Sequence, residues 1–330
     1  MVIRTISRLS AALLALGVTT WSSLSLWYRA PGPELARGTL ALGFALAGLV
    51  SCYGILRGRR RAALVLILLF ALDLAWWSTI RPPAVADWAD DVSRQVTGTI
   101  TGDRLVLEDV RDFEWRSDTD YTQRWTAREY NLKDVRTLDL FMSYWAGPEM
   151  AHMIFSFGFS DGRYLAWSVE VRRRKGGEFS PIADLFKSNP LVMVASEERD
   201  VIGVRSNVRG ENVQLFRLNT SPEITRDILL AYVAQSNDLA RTPRFYHSLM
   251  TNCTMSIFAL IKSLGISIPL DWRLVVNGYL PDYAYEIGVL DRRRPLSQIR
   301  DLAQISAHAK MASPDEFSSA IRIGVPNPMQ

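Results

Sequence analysis

Histidine and cysteine are nearly absent from this chain, with three of the first and two of the second in 330 residues. Two cysteines exclude a disulfide framework. Cys52 sits in an apolar run and Cys253 in a globular context, so they are not expected to pair. There is no HExxH, no CxxC and no paired-histidine spacing, so neither a metal nor a metal-bound cofactor is expected. A GxGxxG fingerprint, a phosphate loop and a GxSxG elbow are also missing. A net positive charge is missing over most of the length. Residues 1–80 carry eight arginines against Glu34 and Asp73, whereas residues 81–330 carry 30 basic and 32 acidic side chains. The larger part therefore has no basic footprint for nucleic acid, and that class is set aside.

Charge is also missing locally. Residues 9–28 and 38–56 contain none, and 62–80 contain only Asp73. Each run is long enough to cross a hydrocarbon core as a helix. Trp21, Trp27, Tyr28, Trp76 and Trp77 cluster towards the ends of the first and third runs, as interfacial anchors do. Arg4 and Arg8 precede the first run, and Arg57, Arg59, Arg60 and Arg61 fill the turn between the second and third. The positive-inside rule puts both on the cytosolic side, and three crossings then leave everything after Ile80 outside. Asp73 is expected to pair with a neighbouring helix or reach the interface rather than to act in function.

The expected organisation is a membrane domain over 1–80 and a linker with an N-terminal hairpin over 81–111. A globular α+β domain then spans 112–291, followed by a C-terminal tail at 292–330 that is expected to be partly disordered from Ser313 to Gln330. Strands are expected over 135–145, 153–159, 164–172, 191–195, 201–205 and 213–218, with a hairpin over 96–110. A helix over 222–240 begins behind Thr220 or Ser221, with Thr220 and Glu223 in capping-box spacing. Ser160-Asp161-Gly162 marks the strongest hairpin. A three-residue loop there pairs Phe159 with Arg163, sets Ser168 opposite Ile154 and puts His152 opposite Glu170. A two-residue loop would move Glu170 to the other face. The first register is favoured because it gathers His152, Ser156, Ser168, Glu170 and Arg172 on one polar face.

The stretch FYHSLMTNCTMSIFALIKSLG, 245–265, places Cys253 directly after the cap residues Thr251 and Asn252. An apolar helical pattern follows at Ile257, Leu260, Ile261 and Leu264, and Gly265 ends it. A helix start is where a thiolate is stabilised. A strand histidine with an orienting carboxylate would activate such a thiol. His247, six residues before Cys253, is read as surface polar, and His308 as uninvolved. The run Arg172-Arg173-Arg174-Lys175 is read as a solvated strand end rather than a lipid-phosphate site.

Four blocks, LDLFMSYWAGPEMAHMIFSFGFSDGRYLAWSVEVRR, EERDVIGVRSN, FYHSLMTNCTMSIF and LPDYAYEIGVLD, together resemble the domain of the bacterial Lnb-type lipoprotein N-acyltransferases. The likeness covers about 112–291 and leaves out the three apolar runs. It implies a permuted papain-like, lecithin:retinol-acyltransferase-like thiol enzyme, with an antiparallel sheet packed with helices. It further implies Cys253 as nucleophile and His152 as base, with Glu170 as third member and Ser168 in reserve. The implied reaction moves an acyl chain from a membrane phospholipid, through a Cys253 thioester, to the N-terminal amine of a diacylglyceryl-modified lipoprotein. The implied setting is a bacterial inner membrane, with the C-terminal domain periplasmic. Two other readings remain open: a papain-like peptidase or amidase acting on cell-wall peptides, and a non-catalytic membrane-anchored binding module.

Overall fold

The computed structural model describes residues 2–328, and the chain divides into two compact units. The first holds the residues to Pro83 together with two later segments, Phe179–Asn189 and Phe245–Ser248. Its helices are α1 (Val2–Arg29), α2 (Glu34–Leu56) and α3 (Arg60–Thr79). Among the described residues these three are long and apolar enough to cross a membrane. Even α3, at 20 residues, reaches about 30 Å.

Small and polar residues set the contacts between these helices. A Cβ on Gly48 would lie 2.2 Å from Thr19 Oγ1, so α1 and α2 come this close only because position 48 has no side chain. Asp73 on α3 is buried, and Ser25 on α1 donates to both of its carboxylate oxygens at 3.1 Å. The carboxylate is thus tied to a neighbouring helix. The two later segments complete an aromatic cluster. Phe186 stacks on Tyr28 at 5.5 Å between ring centroids and lies 6.4 Å from both Trp21 and Trp77. Lys187 donates to the Trp77 carbonyl at 2.8 Å, and the Arg29 guanidinium lies over the Phe245 ring.

The second unit is α+β. Its strands are β1 (Thr97–Thr101), β2 (Arg104–Arg111), β3 (Glu114–Trp115), β4 (Tyr121–Thr122), β5 (Trp125–Asn131), β6 (Val135–Tyr144), β7 (Ala151–Phe159), β8 (Tyr164–Val171), β9 (Leu191–Ser196) and β10 (Asn212–Arg217). Its helices are α4 (Glu198–Val201), α5 (Pro222–Arg241), α6 (Cys253–Ser263), α7 (Leu280–Glu286), α8 (Leu296–Leu302), α9 (Ser306–Met311) and α10 (Phe317–Ala320). The main sheet runs β1-β2-β9-β8-β7-β6-β10, with β5 on β2, and β3 pairs with β4 separately. Pairing is antiparallel except at the single β2–β9 contact between Arg111 and Ser196. In the β7–β8 hairpin Ile154 faces Ser168, and the Phe159 N–H donates to the Arg163 carbonyl. This is the three-residue-loop register.

Both faces of the sheet are covered. On one, Tyr232 of α5 packs against Phe155, Phe157 and Trp167. On the other, Phe141, Ile154, Ala166 and Leu215 pack against Val201, Ile202, Ile305, Phe317 and Ile321. Ser156 and Ser168 on that face are fully buried, so the polar face of the hairpin is an interior one. Ser156 donates to Glu198, which together with Asp139 holds Arg322.

Three expectations need correction. Residues 201–205 are helical, continuing from α4 into a π-type turn over Val204–Val208. Their apolar run is too short for periodicity to separate a buried strand from a buried helix. The C-terminal region is not a loose tail, because α8, α9 and α10 close one face of the core and Phe317 and Ile321 are buried in it. Ser221, not Thr220, caps α5 by accepting from the Ile224 N–H. Thr220 bonds Thr225 instead of forming a capping box.

Candidate active site

Helix α6 begins at Cys253 because Asn252 caps it, its side-chain oxygen accepting from the Met255 N–H at 2.8 Å. The far end is closed by Gly265 at φ +79°, the left-handed position a C′ glycine supplies. Cys253 is thus the first helical residue, where backbone N–H groups and the macrodipole favour negative charge. It is buried.

His152 is the second residue of β7, and the register brings β8 side chains to it. Its Nε2 lies 2.7 Å from Ser168 Oγ and 3.1 Å from Glu170 Oε1. Ser168 donates in turn to the same Glu170 oxygen at 2.7 Å. The imidazole also lies near enough to the Cys253 thiol for each to shift the other's pKa. The four residues singled out from sequence therefore meet in one network.

The charges follow from these contacts. Burial pulls the His152 pKa down, but the Glu170 carboxylate beside it wins and holds it up at about 9. Burial pushes the Cys253 thiol up, yet the His152 hydrogen bond and charge bring it below its usual range, aided by the Met153 N–H and the Thr254 hydroxyl. Glu170 is held well below the usual carboxylate range against its burial, by His152 and by Arg205. Both shifts act in the direction of a thiolate–imidazolium pair.

Three residues of the site were invisible in the sequence. Arg205, on the π-type turn, donates to Glu170 at 3.2 Å and to Glu211 at 3.4 Å. Ser143 donates to Glu211, extending the network to β6. The Asn277 side-chain oxygen accepts a hydrogen bond from the Ala151 N–H at 3.0 Å, and its amide nitrogen donates to the Ala151 carbonyl at 2.7 Å. It donates to Thr254 Oγ1 at 3.0 Å as well, and its Nδ2 lies 3.8 Å from the Cys253 sulfur. Both amide hydrogens are spent on oxygen, so Asn277 fixes the helix start to the strand start rather than offering a free donor. Asn-Gly reads as a turn in sequence, which hid this role.

His247 belongs to the first unit, and burial holds its imidazole below the usual range. His308 is half-buried on α9. Among the described residues no group of three or more His, Cys, Asp or Glu side chains could hold a metal ion.

No curated protein and no solved structure matches the chain. The three apolar helices make this a membrane protein. Residues 121–278 do match one family model, that of the Lnb N-terminal periplasmic domain, and His152, Ser168, Glu170, Cys253 and Asn277 all lie within this stretch.

Proposed function

We propose that the protein is a membrane-anchored thiol acyltransferase, with Cys253 as nucleophile, His152 as acid and base, and Glu170 with Ser168 orienting the imidazole. The observation that carries this reading is the buried Cys253 thiol held below its usual pKa beside an imidazole held above its own. A binding module has no use for such a pair. Three spans on the same chain keep the periplasmic domain at a bilayer, where ester-linked acyl chains are the abundant electrophile.

In the first half-reaction the Cys253 thiolate attacks the carbonyl carbon of a phospholipid ester. The backbone N–H of Cys253, at the start of α6, faces the developing oxyanion. Collapse breaks the ester C–O bond, the departing alkoxide takes the proton from His152, and a lysophospholipid leaves a thioester on Cys253. In the second, the N-terminal amine of a diacylglyceryl-modified lipoprotein attacks the thioester. Neutral His152 takes its proton, the C–S bond breaks, and the thiolate–imidazolium pair is restored. Asn277 is a positioning residue in this scheme, and Arg205 limits how strongly Glu170 binds the imidazolium proton. A papain-like sheet-and-helix ancestry accommodates the order of histidine strand before cysteine helix.

The test is intact-mass analysis of the full chain in phospholipid nanodiscs, with and without a diacylglyceryl-cysteine lipopeptide. An acyl adduct on Cys253, discharged to the lipopeptide as an amide, is the expected result. An adduct discharged only to water would favour a hydrolase acting on another substrate, and no adduct would defeat both enzyme readings.

A further inference from the structure

A cavity of about 100 Å³ lies against the start of α6, and its accessible lining is almost wholly carbon. Its lining takes Thr254, Ile257, Phe258 and Ile261 from α6, and Leu280, Tyr283 and Ala284 from α7 with Ile287 just after it. Both sets follow the i, i+3, i+4, i+7 spacing of a single helical face, so one apolar stripe from each element lines the same cavity. Ordinarily such stripes close on one another, because an unfilled apolar void costs stability. These stay apart.

The gap has a direction. Buried Met153 and Thr254 line its inner end, and Thr254 stands on the same first turn of α6 as Cys253. Half-buried Ile261 and Ile268 and exposed Ile287 line its outer part. From Thr254 to Ile261 the helix advances about 10 Å. The two polar side chains in the lining are already satisfied within the protein. Thr254 accepts from Asn277, and the Tyr283 hydroxyl donates to the Pro269 carbonyl at 2.6 Å. A peptide would find no side-chain hydrogen-bonding partner here, whereas a hydrocarbon chain needs none.

We propose that the slot between α6 and α7 receives the acyl chain carried on Cys253, and that its side chains set the preferred chain length. This rests on the thioester reading above and adds its specificity element. Ala284 has the smallest side chain of the two walls, so its size decides how much hydrocarbon enters beside Thr254 and Ile257. Residues 280–289 lie beyond the matched family stretch, so this wall is set by a part of the chain that the family model does not describe.

The experiment uses the full chain in detergent micelles with p-nitrophenyl laurate and p-nitrophenyl acetate, following the p-nitrophenol burst and the Cys253 adduct mass. In Ala284→Phe the laurate-to-acetate rate ratio should fall about tenfold or more, and in Ile261→Ala it should not fall. A second measurement needs no variant: a p-nitrophenyl ester of a fatty acid tipped with a diazirine is loaded on the wild-type protein and photolysed. Cross-links within 254–289 support the slot. An unchanged ratio in a folded Ala284→Phe protein, or cross-links elsewhere, would overturn it while leaving the thioester chemistry standing. If neither ester acylates Cys253 in the wild type, the acyltransferase reading itself fails.

Discussion

Asn277 binds both main-chain groups of Ala151, its amide oxygen accepting from the N–H at 3.0 Å and its amide nitrogen donating to the carbonyl at 2.7 Å. The side chain thus takes the place of a neighbouring strand at the point where β7 starts. Because it also bonds Thr254, it sets the spacing between the strand bearing His152 and the helix bearing Cys253. Asn277→Ala should cost about 1–3 kcal/mol of stability, the penalty for leaving buried polar groups unpaired. It should also slow alkylation of Cys253 by iodoacetamide at neutral pH. A lower unfolding temperature with unchanged alkylation would reduce Asn277 to a structural role.

Replacing the proposed nucleophile is the plainest test. Cys253→Ser should lower acyl transfer by about 10⁴ or more, as loss of one member of a catalytic group does. Mass spectrometry of lipoprotein N-termini from cells carrying the variant reads this directly. Unaltered N-acylation would remove Cys253 from the mechanism.

The pH profile should have an alkaline limb at about 9, where His152 loses its proton. Glu170→Gln removes the carboxylate that raises this pKa, so the limb should move to lower pH. Arg205 works against that carboxylate, so Arg205→Met should move the limb upward. The two shifts have opposite signs, which general loss of structure does not produce. Burst rates with p-nitrophenyl acetate between pH 5 and pH 11 follow both, and limbs that coincide with wild type would refute the electrostatic assignment.

Stability should follow the same group. An ordinary histidine titrates near about 6.5, and His152 holds its proton more tightly in the folded protein. Its contribution is therefore full below about 6.5 and is lost as pH rises through about 9. Thermal unfolding in detergent should show this decline in the wild type and less of it in Glu170→Gln. Arg205→Met should be less stable near neutral pH, by about 1–3 kcal/mol, because it removes a cation that two half-buried carboxylates share, while Glu170 keeps His152 and Glu211 keeps Arg209.

In the membrane unit, Asp73→Ala removes the bonds to Ser25. The expected cost is on the order of 1 kcal/mol, the scale of interhelical hydrogen bonds in bilayers. Acyl transfer by the isolated protein should be unchanged. A large loss of transfer would instead give this carboxylate a part in the reaction.

Much of this was legible in the sequence because its signals are local. The 160–162 turn fixes the hairpin register, and the register alone brings Ser168 and Glu170 to His152. Cys253 is marked by the cap before it and the glycine after its helix. The hidden parts depend on distant packing. Val201, Ile202 and Val204 are buried between the sheet and C-terminal helices, and nothing in a short apolar run says whether it is strand or helix. Arg205 reaches the site only because that segment turns helically. Asn277 acts through main-chain groups of a residue more than a hundred positions away, which leaves no pattern in sequence.

The two late segments that join the membrane helices have a practical consequence for where the protein can be cut. Phe186, Lys187 and Phe245 are partnered by Tyr28, Trp77 and Arg29, although the chain between them passes through a whole sheet. Cleavage within 81–91 severs one covalent path, yet the released C-terminal fragment still carries these aromatic and cationic holdfasts. Such a fragment should therefore resist extraction by high salt and leave the membrane only with detergent, behaving as a peripheral subunit of its own former anchor.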